Sequence, residues 1–177
     1  MIHLAYTKPN LMVIATRVSS MSDPVNTLVH REAIRELIAR IGRNLDAKKF
    51  DDVVESFSTQ GSYTVRAYSP EINKHMVWMS ASREQLHRLL RDSVEHVHDL
   101  AERTHQINVD QISIEGDRAE ANTTFSLFRT NLRGQSELFA VGHYRDQLLY
   151  SGNHWLICNR TVEVRTRMFT VPTPLPI

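Results

Sequence analysis

The sequence predicts a single α+β domain in which helices come first and a curved, mostly antiparallel sheet follows. Three observations support this prediction. The chain has 177 residues, 41% of them hydrophobic, which is enough to bury one sizeable core. Apolar residues recur at helical spacing up to about residue 100, and beyond residue 104 long runs separated by turn residues are typical of strands. Helices that precede a sheet in this way cover one of its faces.

Two helices are predicted before the first strand. Asp23 is a candidate N-cap for a helix that begins at Pro24 and runs to about Asp46, with an apolar stripe along one side. A two-turn helix follows from Phe50 to near Ser58, because its apolar residues repeat at the same spacing.

Two short strands and a third helix come next. One strand contains Tyr63 and Val65, and the other covers residues 76–79. Ser82 and Gln85 have the spacing of a capping box, which predicts a helix that opens at Ser82. Its predicted buried face consists of Leu86, Leu89, Leu90, Val94, Val97 and Leu100.

The second half of the chain predicts four long strands in an antiparallel meander. The strands cover residues 105–115, 118–131, 136–150 and 154–167. The connections are Gly116-Asp117, a loop that contains Gly134, and Ser151-Gly152-Asn153, all rich in residue types that favour tight turns. We therefore expect strands that are consecutive in the chain to be neighbours in the sheet.

The two ends of the chain are assigned separately from the domain, which we place at residues 22–170. Residues 1–21 are predicted to be a disordered extension, with Met21 as a candidate natural start. Their longest apolar run, residues 11–15, is too short for a secretory core or a membrane span, so we expect a cytoplasmic protein. Residues 171–177 form a Pro-rich tail that is expected either to lie extended on another surface or to fray.

Composition argues against several classes of function. Lys plus Arg number 21 and Asp plus Glu number 20, so the net charge of +1 gives no field that would attract nucleic acid or an anionic membrane. The single cysteine, Cys158, can form no internal disulfide and alone holds neither zinc nor an iron–sulfur cluster. Its alternation with Leu156 predicts a small buried residue. His96 and His98 are two apart and would point to different sides of a helix, so we expect no metal site in this chain.

Asp46, Tyr63 and His105 are the candidate set for acid–base chemistry. Asp46 closes the first predicted helix, Tyr63 lies on the first strand and His105 begins the long sheet, so a sheet covered by helices can bring all three around one cavity. An Asp–His pair with a tyrosine can transfer protons on a small carbonyl compound. Each residue also has an ordinary structural use, as a turn cap, a core aromatic with its hydroxyl at a rim, and a buried donor. Both interpretations stay open at this point.

Arginine and aromatic residues are interleaved on the last three predicted strands. The set consists of Arg129, Arg133, Arg145, Arg160, Arg165 and Arg167 with Phe125, Phe128, Phe139, Tyr144 and Trp155. These residue types are enriched where subunits meet, although charges on a solvated sheet face are the simpler explanation. The pattern favours a subunit interface.

Two stretches near the end of the chain are distinctive: Gly142-His-Tyr-Arg-Asp146 and the closing Leu175-Pro-Ile177. Four further stretches belong with them: residues 57–65, 103–105, 119–130 and 155–162. In this order and spacing, they resemble the small (beta) subunit of aromatic-ring-hydroxylating dioxygenases, in the branch that acts on aromatic acids such as salicylate and terephthalate. The resemblance covers about residues 28–177. It departs at Gln60-Gly61, where many relatives have acidic residues, which weakens the assignment to one substrate branch.

The resemblance implies a cone-like domain of the nuclear transport factor 2 (NTF2) type, also seen in scytalone dehydratase and polyketide-cyclase-like proteins. It implies that three small subunits support three large ones, or form a homotrimer when isolated. The large subunits would hold a Rieske [2Fe-2S] cluster and a mononuclear Fe(II), with electrons from NADH through a reductase. This chain would hold no metal, no cofactor and no catalytic residue.

The resemblance also assigns subunit contacts to the sheet. The candidate interface residues are Arg129, Tyr144, Arg165 and Arg167. Because enzymes share this fold, a free-standing dehydratase, isomerase or cyclase that uses Asp46, Tyr63 and His105 on a small hydrophobic molecule is the alternative.

Overall fold

A computed structural model describes residues 24–96, 100–171 and 176–177 of the chain. The cap at Asp23 and the extension over residues 1–21 therefore lie outside the described residues, as does His98. No helix within the described ranges is long and apolar enough to cross a lipid bilayer.

Helices and strands follow the predicted order within these residues. The elements are α1 (Pro24–Asp46), α2 (Phe50–Glu55), β1 (Phe57–Ser69), β2 (Lys74–Ser82), α3 (Arg83–His96), β3 (Glu102–Glu115), β4 (Arg118–Thr130), β5 (Ser136–Ser151) and β6 (His154–Val164). The strands form one sheet in the order β2-β1-β6-β5-β4-β3. Every pair is antiparallel except β1 with β6, and the predicted meander of the last four strands is confirmed.

Every pair of neighbouring strands contains a shift of register, an irregularity of the kind that bends strands and increases their twist. Ile34, Ile38 and Ile41 of α1 are at most 1% exposed and belong to the hydrophobic core that α1 shares with the sheet. Gly42 allows α1 to lie close to β3, since a Cβ atom there would come 2.4 Å from the Ile107 Cδ1 atom. The predicted α+β architecture is therefore confirmed.

The capping box that opens α3 is confirmed in both halves. The backbone N–H of Gln85 donates to the Ser82 hydroxyl at 3.2 Å, and the Ser82 N–H donates to Gln85 Oε1 at 2.8 Å. Leu86 and Leu90 are buried as predicted. Leu100 is 66% exposed and lies beyond the end of the helix, so its predicted burial is wrong.

Strand β1 is longer than the sequence indicated. It begins at Phe57, directly after Ser56, whose carbonyl accepts a hydrogen bond from the Ile157 N–H. The preceding helix therefore ends at Glu55, three residues earlier than predicted. The polar stretch after Phe57 shows no alternation of its own, so its strand structure depends on the neighbouring strand. Gly61 is required there, because a Cβ atom would come 2.8 Å from the Ser58 carbonyl oxygen.

Candidate functional site

Asp46 and His105 meet at the junction of α1 and β3. The His105 Nδ1 atom lies 2.5 Å from Asp46 Oδ1, and the His105 backbone N–H donates to Asp46 Oδ2 at 2.8 Å. The close approach at Gly42, one turn earlier in α1, brings the end of the helix down to the strand. The carboxylate therefore holds both the main chain and the ring of His105, so this part of the predicted acid–base set is assembled.

The second ring nitrogen of His105 is unusual. The imidazole is 1% exposed, and its Nε2 atom has no hydrogen-bond partner among the described residues. An unpaired buried polar atom costs about 1–3 kcal/mol. When Asp46 accepts the proton of Nδ1, Nε2 carries the lone pair, and such a nitrogen can take up a proton from a bound molecule.

Tyr63 is engaged elsewhere. Its side chain is 3% exposed, and its hydroxyl donates to the carbonyl oxygen of Ile177 at 2.5 Å. Burial raises the pKa of Tyr63 far above its usual value despite the opposing effect of Arg160, so the phenol stays protonated. The hydroxyl of the third predicted acid–base residue is thus bonded to the end of the chain.

An ion pair that sequence reasoning missed lies inside the protein. Arg160 and Asp146 are 1% and 2% exposed, and they are joined by two hydrogen bonds of 2.8 Å. Burial alone would lower the pKa of Arg160, but the Asp146 carboxylate more than offsets this and raises it. The guanidinium also lies 4.5 Å from the centre of the Tyr144 ring. Its predicted role at a subunit interface is wrong, because its charge is compensated within the core.

The other predicted interface residues lie in different environments. Tyr144 is 1% exposed and stacks on Phe125, so its side chain is not on a surface that a partner could contact. Phe139 and Trp155 from the wider set are also buried. Cys158 is only half-buried, less than predicted.

The three predicted interface arginines reach the surface to different degrees. Arg129 is mostly buried and pairs with Glu137 at 3.4 Å, whereas Arg165 is exposed. Arg167 is also exposed and donates to Glu71 at 2.6 Å, which lowers the pKa of that carboxyl to about 2.

A groove of about 660 Å³ lies on the sheet face opposite the helices. Its lining includes His75, His143, Arg145, Glu163, Arg165 and Arg167. Glu163 accepts from Arg66 and, at 3.0 Å, from Arg145. Partial burial would raise the pKa of Glu163, but these hydrogen bonds hold it below its ordinary value. The groove is therefore lined by more cations than anions.

Metal ligands do not converge in the part of the chain that the structure describes. No group of three or more His, Cys, Asp or Glu side chains there is close enough to hold an ion. His87 pairs with Asp51 at 2.9 Å on the surface.

A family model and two known proteins match most of the chain. The SnoaL-like domain family matches residues 26–161. The chain is 28% identical over 173 residues to the beta subunit of methanesulfonate monooxygenase hydroxylase from Methylosulfonomonas methylovora, covering 92% of this chain and 96% of that protein. It is 22% identical over 134 residues to the beta subunit of 2-aminobenzenesulfonate 2,3-dioxygenase from an Alcaligenes species, covering 75% and 89%.

A solved structure shares the fold. It is the beta subunit of a proposed aromatic-ring-hydroxylating dioxygenase from Novosphingobium aromaticivorans, with a TM-score of 0.71 and 22% identity over 81% of this chain and 94% of that one.

Proposed function

Because the chain belongs to the SnoaL-like domain family and has the NTF2-like fold, we propose that it is the small, structural subunit of a Rieske-type ring-hydroxylating oxygenase of the cytoplasm. The observation that carries this proposal is the match to an oxygenase beta subunit over 92% of this chain and 96% of that protein. The interior of the domain adds support, because it is occupied by protein side chains, among them Arg160, Tyr144 and Ile177, which are at most 4% exposed.

The reaction and its cofactors would belong to the large subunit. The chain's donor set fits neither iron group, since Cys158 is its only cysteine and the described residues bring no three ligands together. We therefore place the Rieske cluster and the mononuclear iron in the large subunit, with NADH as the electron source through a reductase. One relative is named for methanesulfonate, which has no ring, and the other for the aromatic 2-aminobenzenesulfonate. Together with the resemblance to subunits of oxygenases that act on aromatic acids, this leads us to propose an aromatic carboxylate or sulfonate as the substrate.

We assign the contact with the large subunit to the outer groove and to the neighbouring edge strand β2. The groove and its surroundings carry Arg66, Arg145, Arg165 and Arg167 against Glu71 and Glu163, a net positive surface. On β2, Val77 is 62% exposed and Trp78 38% exposed. An apolar edge strand beside cations suits a protein partner that carries acidic and apolar groups.

Arg129 lies apart from this surface and is the candidate for contacts between small subunits. It borders a shallow pocket together with Leu100 and Leu132, which are 66% and 79% exposed. A homotrimer of small subunits would require such a contact in addition to the contact with the large subunit.

Co-expression with the large subunit tests the proposal. We expect a complex whose mass fits three copies of each chain and which hydroxylates an aromatic acid. Val77→Glu should abolish co-elution, whereas Gln106→Glu, the same added charge on the exposed opposite edge strand, should not. A large subunit that is fully active and never associates with this chain would overturn the proposal. Co-elution that survives Val77→Glu would overturn the assignment of the surface.

A free-standing enzyme is the second candidate, and the unpaired Nε2 of His105 favours it. With Asp46 holding Nδ1, His105 would act as the base in a dehydration, isomerisation or cyclisation of a small hydrophobic molecule. Such an enzyme should be active without any partner, and His105→Ala should remove that activity while the protein stays folded.

A further inference from the structure

Ile177 is buried in the domain although it ends the Pro-rich tail. Its side chain is 4% exposed and belongs to the hydrophobic core. The carbonyl oxygen of Ile177 accepts a hydrogen bond from Tyr63, 114 residues earlier in the chain. By contrast, Met168, just beyond the last strand, is 89% exposed. The two described residues of the tail's end are thus held inside, away from the surface.

Ile177 makes the two kinds of contact that a small bound ligand would make, one apolar and one polar. A branched apolar side chain sits in an apolar interior, and one oxygen acceptor meets one donor. The Tyr63 hydroxyl is a permanent donor, because burial raises the pKa of the phenol and keeps its proton in place. Arg160, which lies beside Tyr63 in the sheet, is already paired with Asp146. The Tyr63 hydroxyl therefore donates to Ile177.

We propose that Tyr63 and the core around it form a binding site for a small molecule with a branched apolar group and an oxygen acceptor, and that Ile177 is its built-in ligand. A ligand attached to the same chain has an effective concentration that free molecules rarely match. The site therefore stays closed in the full chain and opens only when Ile177 is removed. This inference concerns the interior of one chain, so it holds or fails independently of the partner.

A chain shortened by Pro176 and Ile177 tests the site directly, with N-acetyl-prolyl-isoleucine as the probe. We expect the shortened chain to melt about 5–10 °C below the full chain, because a buried branched side chain is lost. Millimolar probe should raise the melting temperature of the shortened chain and leave that of the full chain unchanged. N-acetyl-prolyl-glycine, which lacks the branched group, should have no effect on either.

The hydrogen bond from Tyr63 has its own test. Tyr63→Phe in the shortened chain should weaken the affinity for the probe about tenfold or more, the effect of one hydrogen bond to a carboxylate. An unchanged affinity would overturn the role of the hydroxyl. Equal binding of the probe by the full and shortened chains would overturn the built-in ligand.

Substitutions in the full chain keep the proposal testable if the shortened chain does not fold. Ile177→Val should lower the melting temperature slightly and Ile177→Ala more, in proportion to the buried volume removed. Met168→Ala, at the exposed side chain nearby, is the matched control and should change nothing. If Ile177→Ala melts at the temperature of the unaltered chain, Ile177 is not a ligand of the core.

Discussion

Asp146 and Arg160 face each other on neighbouring strands and form a two-pronged ion pair inside the protein, with Nε to Oδ1 and Nη2 to Oδ2 both at 2.8 Å. The Tyr144 ring covers the guanidinium at 4.5 Å and stacks in turn on Phe125. Two charges in such a place stabilise the fold only as a pair, because either one alone would be buried without compensation.

The pair predicts a large effect from a single change. Asp146→Ala should lower the free energy of unfolding by about 3–5 kcal/mol, since it leaves the Arg160 charge buried alone. Unfolding in urea measures this. The double variant Asp146→Leu with Arg160→Met should recover most of the loss. Glu137→Ala, which breaks the more exposed pair with Arg129, is the control and should cost about 1 kcal/mol or less.

A side chain at position 142 would clash with the backbone of the neighbouring strand. A Cβ atom there would come 2.4 Å from the Glu163 carbonyl oxygen and 2.8 Å from the Phe125 ring. The oxygen belongs to the neighbouring strand and cannot move freely, so Gly142→Ala should cost about 2–3 kcal/mol of unfolding free energy.

Gly42→Ala is the matched control for Gly142→Ala. Its new Cβ would meet the Ile107 Cδ1 atom at the same 2.4 Å, but that atom ends a side chain that can rotate away. Alanine also favours the helix by about 1 kcal/mol. We expect the smaller loss at Gly42, and equal losses at the two positions would contradict the explanation.

The lowered pKa of Glu163 should contribute to the loss of stability of the fold at acid pH. Its pKa in the folded protein lies below the ordinary 4.5, so its stabilising effect is complete above that value and is lost as the pH falls through the folded pKa. Glu163→Gln should therefore make the melting temperature fall less steeply with pH below about pH 5. Removing both donors, with Arg66→Gln and Arg145→Gln, should weaken the dependence of the melting temperature on pH in the same way. An unchanged slope in both variants would contradict the prediction.

Arg167 lowers the pKa of Glu71, and removing its guanidinium should reverse this effect. The hydrogen bonds from Arg167 and Ser69 set the pKa of Glu71 at about 2, and Arg167 contributes most. Arg167→Gln should move that pKa toward the ordinary 4.5, as followed by the NMR shift of the Glu71 carboxyl carbon. The melting temperature at neutral pH should hardly change, because both side chains are exposed. Arg165→Gln is the neighbouring control and should leave the titration of Glu71 in place.

The strand β6 shows why sequence reasoning misassigned Arg160. Trp155 and Ile157 are buried with a period of two, and a regular strand would then point Arg160 outward. An irregularity in the pairing with β5 adds one residue at Cys158, so burial resumes at Arg160 and Val162. One inserted residue exchanges the two faces of a strand, and nothing in the local sequence marks it.

The sequence alone determined the features that depend on residues near each other in the chain. They are the extent of α1, the capping box at Ser82 and Gln85, and the tight turns that order the last four strands into a meander, because spacing, caps and turn residues act locally. Only the tertiary structure decided which polar groups lie inside. The contacts between Asp46 and His105 and between Tyr63 and Ile177 join residues 59 and 114 positions apart, and they depend on register shifts and close approaches that no local pattern encodes.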